Sequence, residues 1–121
     1  MNKCILVMED QPDDRQILRD MLASTDYQVL EAGGDEEALA SVAKQRPDLI
    51  LIDLQSPIPD GLKATRRIKA DPSLSSIPII AVTSYALSGD EEIARAAGCN
   101  DLVPKPYSPR QLLAKIREFL P

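Results

Sequence analysis

The chain has no histidine and no tryptophan, one phenylalanine and three tyrosines in 121 residues. Without histidine the usual zinc sites are excluded. With so few aromatic rings, the core must be built from Ile, Leu, Val and Ala. Cysteine is scarce as well. Cys4 and Cys99 form no CxxC pair and have no other metal-ligand type nearby, which points to two buried or half-buried thiols in a reducing cytosol. Positive charge is in deficit, with 14 Lys and Arg against 19 Asp and Glu and a net charge of −5. That balance disfavours a nucleic-acid partner, whose phosphates want a basic face. The densest basic run, Lys63 to Lys69, reads as a solvated helix face. There is no apolar run long enough for a signal peptide or a membrane span. No linker, low-complexity tract or internal repeat interrupts the sequence, and few residues follow the last helical pattern. One domain over 1–121, without an output domain, is expected.

What is present is an alternation of short apolar runs with amphipathic stretches. Cys4-Ile5-Leu6-Val7-Met8, Leu49-Ile50-Leu51-Ile52 and Ile79-Ile80-Ala81-Val82 are continuous enough to be strands buried on both faces, as in a parallel sheet covered by helices. Tyr27 to Leu30 and Leu102-Val103 are weaker, edge-like strands. Between them, helical spacing places Ile17, Leu18, Met21 and Leu22 on a first helix. Leu39, Val42 and Ala43 mark a second, and Leu62 to Ala70 a third. Ile93, Ala96 and Ala97 mark a fourth, and Leu113, Ile116 and Leu120 a fifth. Pro12 suits the start of the first helix. Ser88-Gly89-Asp90-Glu91 and Ser108-Pro109-Arg110-Gln111 are capping boxes, Gly98 is a helix stop, and Gly33-Gly34 and Asp60-Gly61 are turns. Five β-α units argue a single α/β domain, a doubly wound parallel sheet with helices on both faces.

In such a sheet the chemistry sits at the carboxyl ends of the strands. The first strand ends in Glu9-Asp10, the third in Asp53, the fourth in Thr83-Ser84, and the fifth near Lys105. Two carboxylates about 4 Å apart repel by roughly 4 kcal/mol at an effective dielectric near 20. Three on one rim therefore call for a partner, and Mg2+, which takes oxygen ligands and phosphate oxygens, fits. Each residue alone has a plain alternative: Asp10 a helix cap, Thr83 an ordinary strand residue, Lys105 a solvated lysine. Five such coincidences at one rim are harder to accept.

These residues resemble the receiver domain of two-component response regulators, across essentially the whole chain. Glu9-Asp10 matches the family's acidic pair. Asp53, followed by Leu54-Gln55-Ser56-Pro57 and Asp60-Gly61, matches its phospho-acceptor loop. Ala81-Val82-Thr83-Ser84 matches the switch hydroxyl, and Lys105-Pro106 the Lys-Pro pair, whose peptide bond is typically cis. The stretch from Ala81 to Cys99 also resembles the single-domain cell-division and polar-differentiation regulators. The resemblance implies a five-stranded, flavodoxin-like sheet in the order 2-1-3-4-5 with five helices, in a protein of the bacterial cytoplasm. It implies that a histidine kinase or phosphotransfer protein passes a phosphoryl group to Asp53. Mg2+ would be held by Asp10, Asp53 and the backbone carbonyl of Gln55, with Glu9 acting largely through water. Lys105 would pair with a phosphoryl oxygen, and the Thr83 hydroxyl would be drawn toward it. Such a chain is no metabolic enzyme; it promotes only its own phosphorylation and dephosphorylation, and a downstream protein reads the result.

Three positions depart from the family pattern. Leu102 stands where an aromatic switch residue is usual, Ser56 replaces a common apolar residue, and Pro104 removes a backbone N–H before Lys105. The first two motivate an alternative, a receiver-like adaptor that works without phosphate. An Asp-nucleophile phosphatase is the nearest enzyme reading, but Gln55 occupies the place of its second Asp. A flavin-binding protein is disfavoured because Glu9-Asp10 would repel the flavin phosphate.

Overall fold

The computed structural model describes residues 2–54, 62–83 and 90–121. Five strands alternate with five helices: β1 (Cys4–Met8), α1 (Pro12–Leu22), β2 (Gln28–Ala32), α2 (Asp35–Lys44), β3 (Leu49–Leu54), α3 (Lys63–Ala70), β4 (Ile79–Thr83), α4 (Asp90–Ala97), β5 (Asp101–Pro104) and α5 (Pro109–Phe119). All strand pairs are parallel, in the order β2-β1-β3-β4-β5. The order reverses between β1 and β3, and a crevice at such a reversal is where doubly wound sheets bind ligands.

Strand alternation sorts the core into two layers. Leu6, Met8, Ile50, Ile52, Leu54, Ile79 and Ala81 face α2, α3 and α4, meeting Ala38, Val42, Ala64, Ile68, Ala94 and Ala97. Ile5, Val7, Leu49, Leu51, Ile80, Val82 and Val103 face α1 and α5, meeting Leu18, Leu22, Leu112, Ile116 and Leu120. Because successive side chains point to opposite faces, the parity of each strand-end residue says which helices it meets.

The helices turn differently from the sequence expectation in several places. On α1 the buried pair is Leu18 and Leu22, while Ile17 is 58% exposed. On α2 Ala38 and Val42 are buried and Ala43 is exposed; on α4 Ala94 and Ala97 are buried and Ala96 is exposed. On α5 Leu112 replaces Leu113 as the innermost residue beside Ile116. In each case two adjacent residues satisfied the same spacing, and the sheet surface chose between them.

Element ends follow local chemistry. Pro12 opens α1, where its missing N–H costs nothing. At α5 the Gln111 N–H donates to Ser108 Oγ at 3.1 Å and the Ser108 N–H to Gln111 Oε1 at 2.8 Å, the expected capping box. The capping box beginning at Ser88 and the Asp60-Gly61 turn lie outside the described residues. Gly98 ends α4 at φ 120°, where a Cβ would also run into the Lys69 side chain. Lys69 Nζ in turn donates to the carbonyls of Ser75 (3.1 Å) and Ile77 (2.7 Å) and to Asn100 Oδ1 (2.9 Å), tying α3 to the start of β5. Cys4 and Cys99 are buried and free.

Candidate active site

The registers level the strand ends. Met8 pairs with Ile52, Leu54 with Thr83, and Thr83 with Pro104. Glu9 continues the β1 ladder, its N–H donating to the Ala32 carbonyl at 2.9 Å, and the Lys105 N–H donates to the Thr83 carbonyl at 2.7 Å. One rim thus carries Glu9, Asp53, Thr83 and Lys105. The Lys105-Pro106 peptide bond is cis, as expected.

Parity then divides them. Glu9 follows Ile5 and Val7, Asp53 follows Leu49 and Leu51, and Lys105 follows Val103, so these three belong to the α1–α5 side of the sheet. Thr83, in line with Ile79 and Ala81, has the opposite parity. Asp10 is exposed beside Glu9, while Thr83 is 1% exposed at the end of β4.

Lys105 Nζ donates to Asp53 Oδ2 at 2.7 Å, with 24% of the Lys105 side chain and 2% of the Asp53 side chain exposed. The other carboxylate oxygen, Asp53 Oδ1, is buried and has no hydrogen-bond partner among the described residues. Glu9 is likewise 1% exposed. Its Oε1 accepts from the Gln11 N–H at 2.9 Å, and its Oε2 has no partner among the described residues. The third acid is Asp14, from the first turn of α1. One carboxylate oxygen each from Glu9, Asp14 and Asp53 lie within 4.8 Å of one another.

At that separation each ionised pair repels by about 3 kcal/mol at an effective dielectric of 20. In the protein alone, a proton relieves the conflict. Burial above all, with the charge of the facing Asp53 adding to it, pushes the Glu9 carboxyl up to about 8. Tyr107 packs nearby, and burial together with the charges of Asp53, Asp14 and Glu9 raises its phenol to about 12. The donor set is all oxygen, with two buried carboxylate oxygens lacking partners. It suits a hard divalent cation such as Mg2+. Gln55, whose carbonyl was expected to join the set, lies outside the described residues.

A groove of about 830 Å3 opens beside the site between α1 and the β5–α5 connection, lined by Asp14, Ile17, Met21, Asp53, Lys105, Tyr107 and neighbours. Sequence reasoning had selected neither Asp14 nor Tyr107. Asp14 sits in the first turn of α1, the helix that packs on the same side of the sheet as Asp53.

Over residues 5–117 the sequence matches the family model of the response regulator receiver domain. The chain belongs to this family. Receiver domains are the phospho-accepting switches of two-component signalling, working with histidine kinases or phosphotransfer proteins and downstream targets, and are not metabolic enzymes. The polar-differentiation response regulator DivK of Brucella anthropi is 37% identical over 120 residues, covering 99% of this receiver domain and 98% of that protein. Among solved structures, the receiver domain of a Pseudomonas aeruginosa PAO1 sensor histidine kinase, with magnesium coordinated in its active-site cleft, is 36% identical. Its TM-score is 0.88, with 99% of this chain and 98% of that one covered. A response regulator of Chloroflexus aurantiacus J-10-fl superposes with a TM-score of 0.90 at 27% identity, with 99% and 98% covered. Among the described residues of this receiver domain, no helix is long and apolar enough to cross a membrane.

Proposed function

We propose that this receiver domain accepts a phosphoryl group on Asp53, in a Mg2+-dependent reaction, from the phosphohistidine of a kinase or phosphotransfer protein. It then signals through protein–protein contacts. One observation carries the proposal: the two oxygens of Asp53 have different surroundings. Oδ2 is held by Lys105, which fixes the plane of the carboxylate. Oδ1 is buried without a partner among the described residues and is the natural nucleophile. Its lone pair attacks phosphorus as the phosphorus–nitrogen bond to the imidazole breaks, and the nitrogen keeps that bonding pair. Positioning and charge neutralisation do the catalytic work.

Glu9, Asp10, Asp53 and the Gln55 carbonyl are the groups expected to hold Mg2+. When bound, the ion offsets the carboxylate charges and takes phosphoryl oxygens. The magnesium in the cleft of the Pseudomonas aeruginosa receiver domain supports this assignment. Lys105 is placed to pair with a second phosphoryl oxygen once Oδ2 becomes part of the acyl phosphate. Thr83, on the opposite face, would answer the new charge by moving its hydroxyl toward it, biasing α4, β5 and α5 as the partner-reading surface.

Incubation with Mg2+ and acetyl phosphate, followed by intact-mass measurement, tests the reading. One phosphoryl adduct is expected on the wild type and none on Asp53→Asn. An unmodified wild type, or an adduct that persists in the variant, contradicts it. Leu102 favours a second reading. It is half-buried against the core, without the aromatic ring that usually couples switch and surface. An Asp53→Asn chain that signals normally in cells would establish the phosphate-independent adaptor instead.

A further inference from the structure

We infer that Asp14 is a further member of the cation-holding set, reaching the site from the first turn of α1. The inference rests on the Mg2+ reading above and extends it to a residue outside the expected pair, Glu9 and Asp10. Three independent observations converge. The Asp14 carboxylate lies within 4.8 Å of oxygens of both Glu9 and Asp53. The side chains of those two are almost fully buried and each keeps one oxygen without a partner among the described residues, so the cluster is aimed at something it lacks. Strand parity and the α1–α5 packing put Asp14, Asp53 and Glu9 on one side of the sheet. Asp14 and Asp20 both line the groove next to Asp53, but of the two only Asp14 places an oxygen among those of Glu9 and Asp53, so it can meet an ion entering from solvent. An ion ringed by six oxygens holds neighbouring ligands about 3 Å apart, given metal–oxygen distances of about 2.1 Å. The observed spread needs only a small closure, or one bridging water from Asp14. Asp13, next in sequence, is exposed and supplies the control.

The test is calorimetric Mg2+ titration of wild type, Asp14→Asn and Asp13→Asn, each first shown to be folded by circular dichroism. It is run in 0.1 M and again in 1 M KCl, where the Debye length falls from about 10 Å to about 3 Å and through-space effects fade. Asp14→Asn is expected to weaken Mg2+ binding about tenfold at both salt concentrations, and Asp13→Asn less than twofold. Asp14→Ala, titrated in the same way, takes its place should Asp14→Asn not fold. If the wild type binds Mg2+ and the Asp14 variant stays within twofold of it, or its loss vanishes in 1 M KCl, this inference is overturned while the phospho-acceptor reading stands. A wild type that binds no Mg2+ at millimolar concentration would overturn both.

Discussion

Asp53 and Lys105 stand 52 residues apart in sequence and share an ion pair of 2.7 Å, with the carboxylate almost wholly buried and the ammonium a quarter exposed. Lys105 is the cation that faces this cluster of acids at the described rim. Its removal would leave Asp53 buried beside Glu9 and Asp14 without the ion pair that the described residues give it. Lys105→Met is therefore expected to lower stability by about 2 kcal/mol in EDTA, less than the roughly 3–5 kcal/mol for breaking a fully buried pair, because the lysine is partly solvated. Urea unfolding measures it. Asp53→Asn, which removes one of the crowded charges, should cost less or stabilise. The reverse ranking would show that the pair, and not the crowding, governs the site.

Stability without divalent ions should depend on pH through Glu9. Its carboxyl is raised to about 8 in the fold against an ordinary 4.5, so between these values the folded chain holds a proton that the unfolded chain has released. Its stabilising contribution is complete below about pH 4.5 and is lost as pH rises through about 8. The chain has no histidine, and its two buried thiols, raised by burial, add to the dependence only at the upper end of this range. Unfolding free energy in EDTA is expected to fall by about 3 kcal/mol from pH 5.5 to 8.5. Glu9→Gln should flatten the profile, and a profile unchanged by that substitution would assign the effect elsewhere.

Gly98 is the described glycine held at positive φ. Adding a methyl group there meets both backbone strain and the Lys69 side chain, whose ammonium ties α3 to three acceptors, two in the loop that follows it and one just before β5. Gly98→Ala should cost about 2 kcal/mol or more. A change below about 0.5 kcal/mol in denaturant unfolding would mean that Lys69 moves aside freely.

Much of this was readable from the chain. Continuous runs such as Leu49 to Ile52 can only be buried on both faces, and so the parallel sheet followed. The reactive residues stand where such strands end, and so the rim followed. Ser108 and Gln111 named their own cap. Helix phase was not readable, because Ile17 and Leu18, or Leu112 and Leu113, fit one spacing equally well. Only the sheet beneath decides which of each pair turns inward. The same ambiguity hid Asp14. The segment from Asp10 to Asp20 holds four aspartates, Asp10, Asp13, Asp14 and Asp20, and its composition does not say which of them faces Asp53. The folded chain does: Asp10, two residues past the end of β1, stands exposed, while α1 carries Asp14 in beside Glu9 and Asp53.

The central claim is that Asp53 itself carries the phosphoryl group, and trapping the acyl phosphate tests it most directly. After treatment with Mg2+ and acetyl phosphate, borohydride reduction converts a phosphorylated aspartate to homoserine, which peptide mass mapping locates. Homoserine at position 53 alone, absent when Mg2+ is withheld, is the predicted result. Homoserine at Asp10, Asp14 or any other aspartate, or at none, would contradict it.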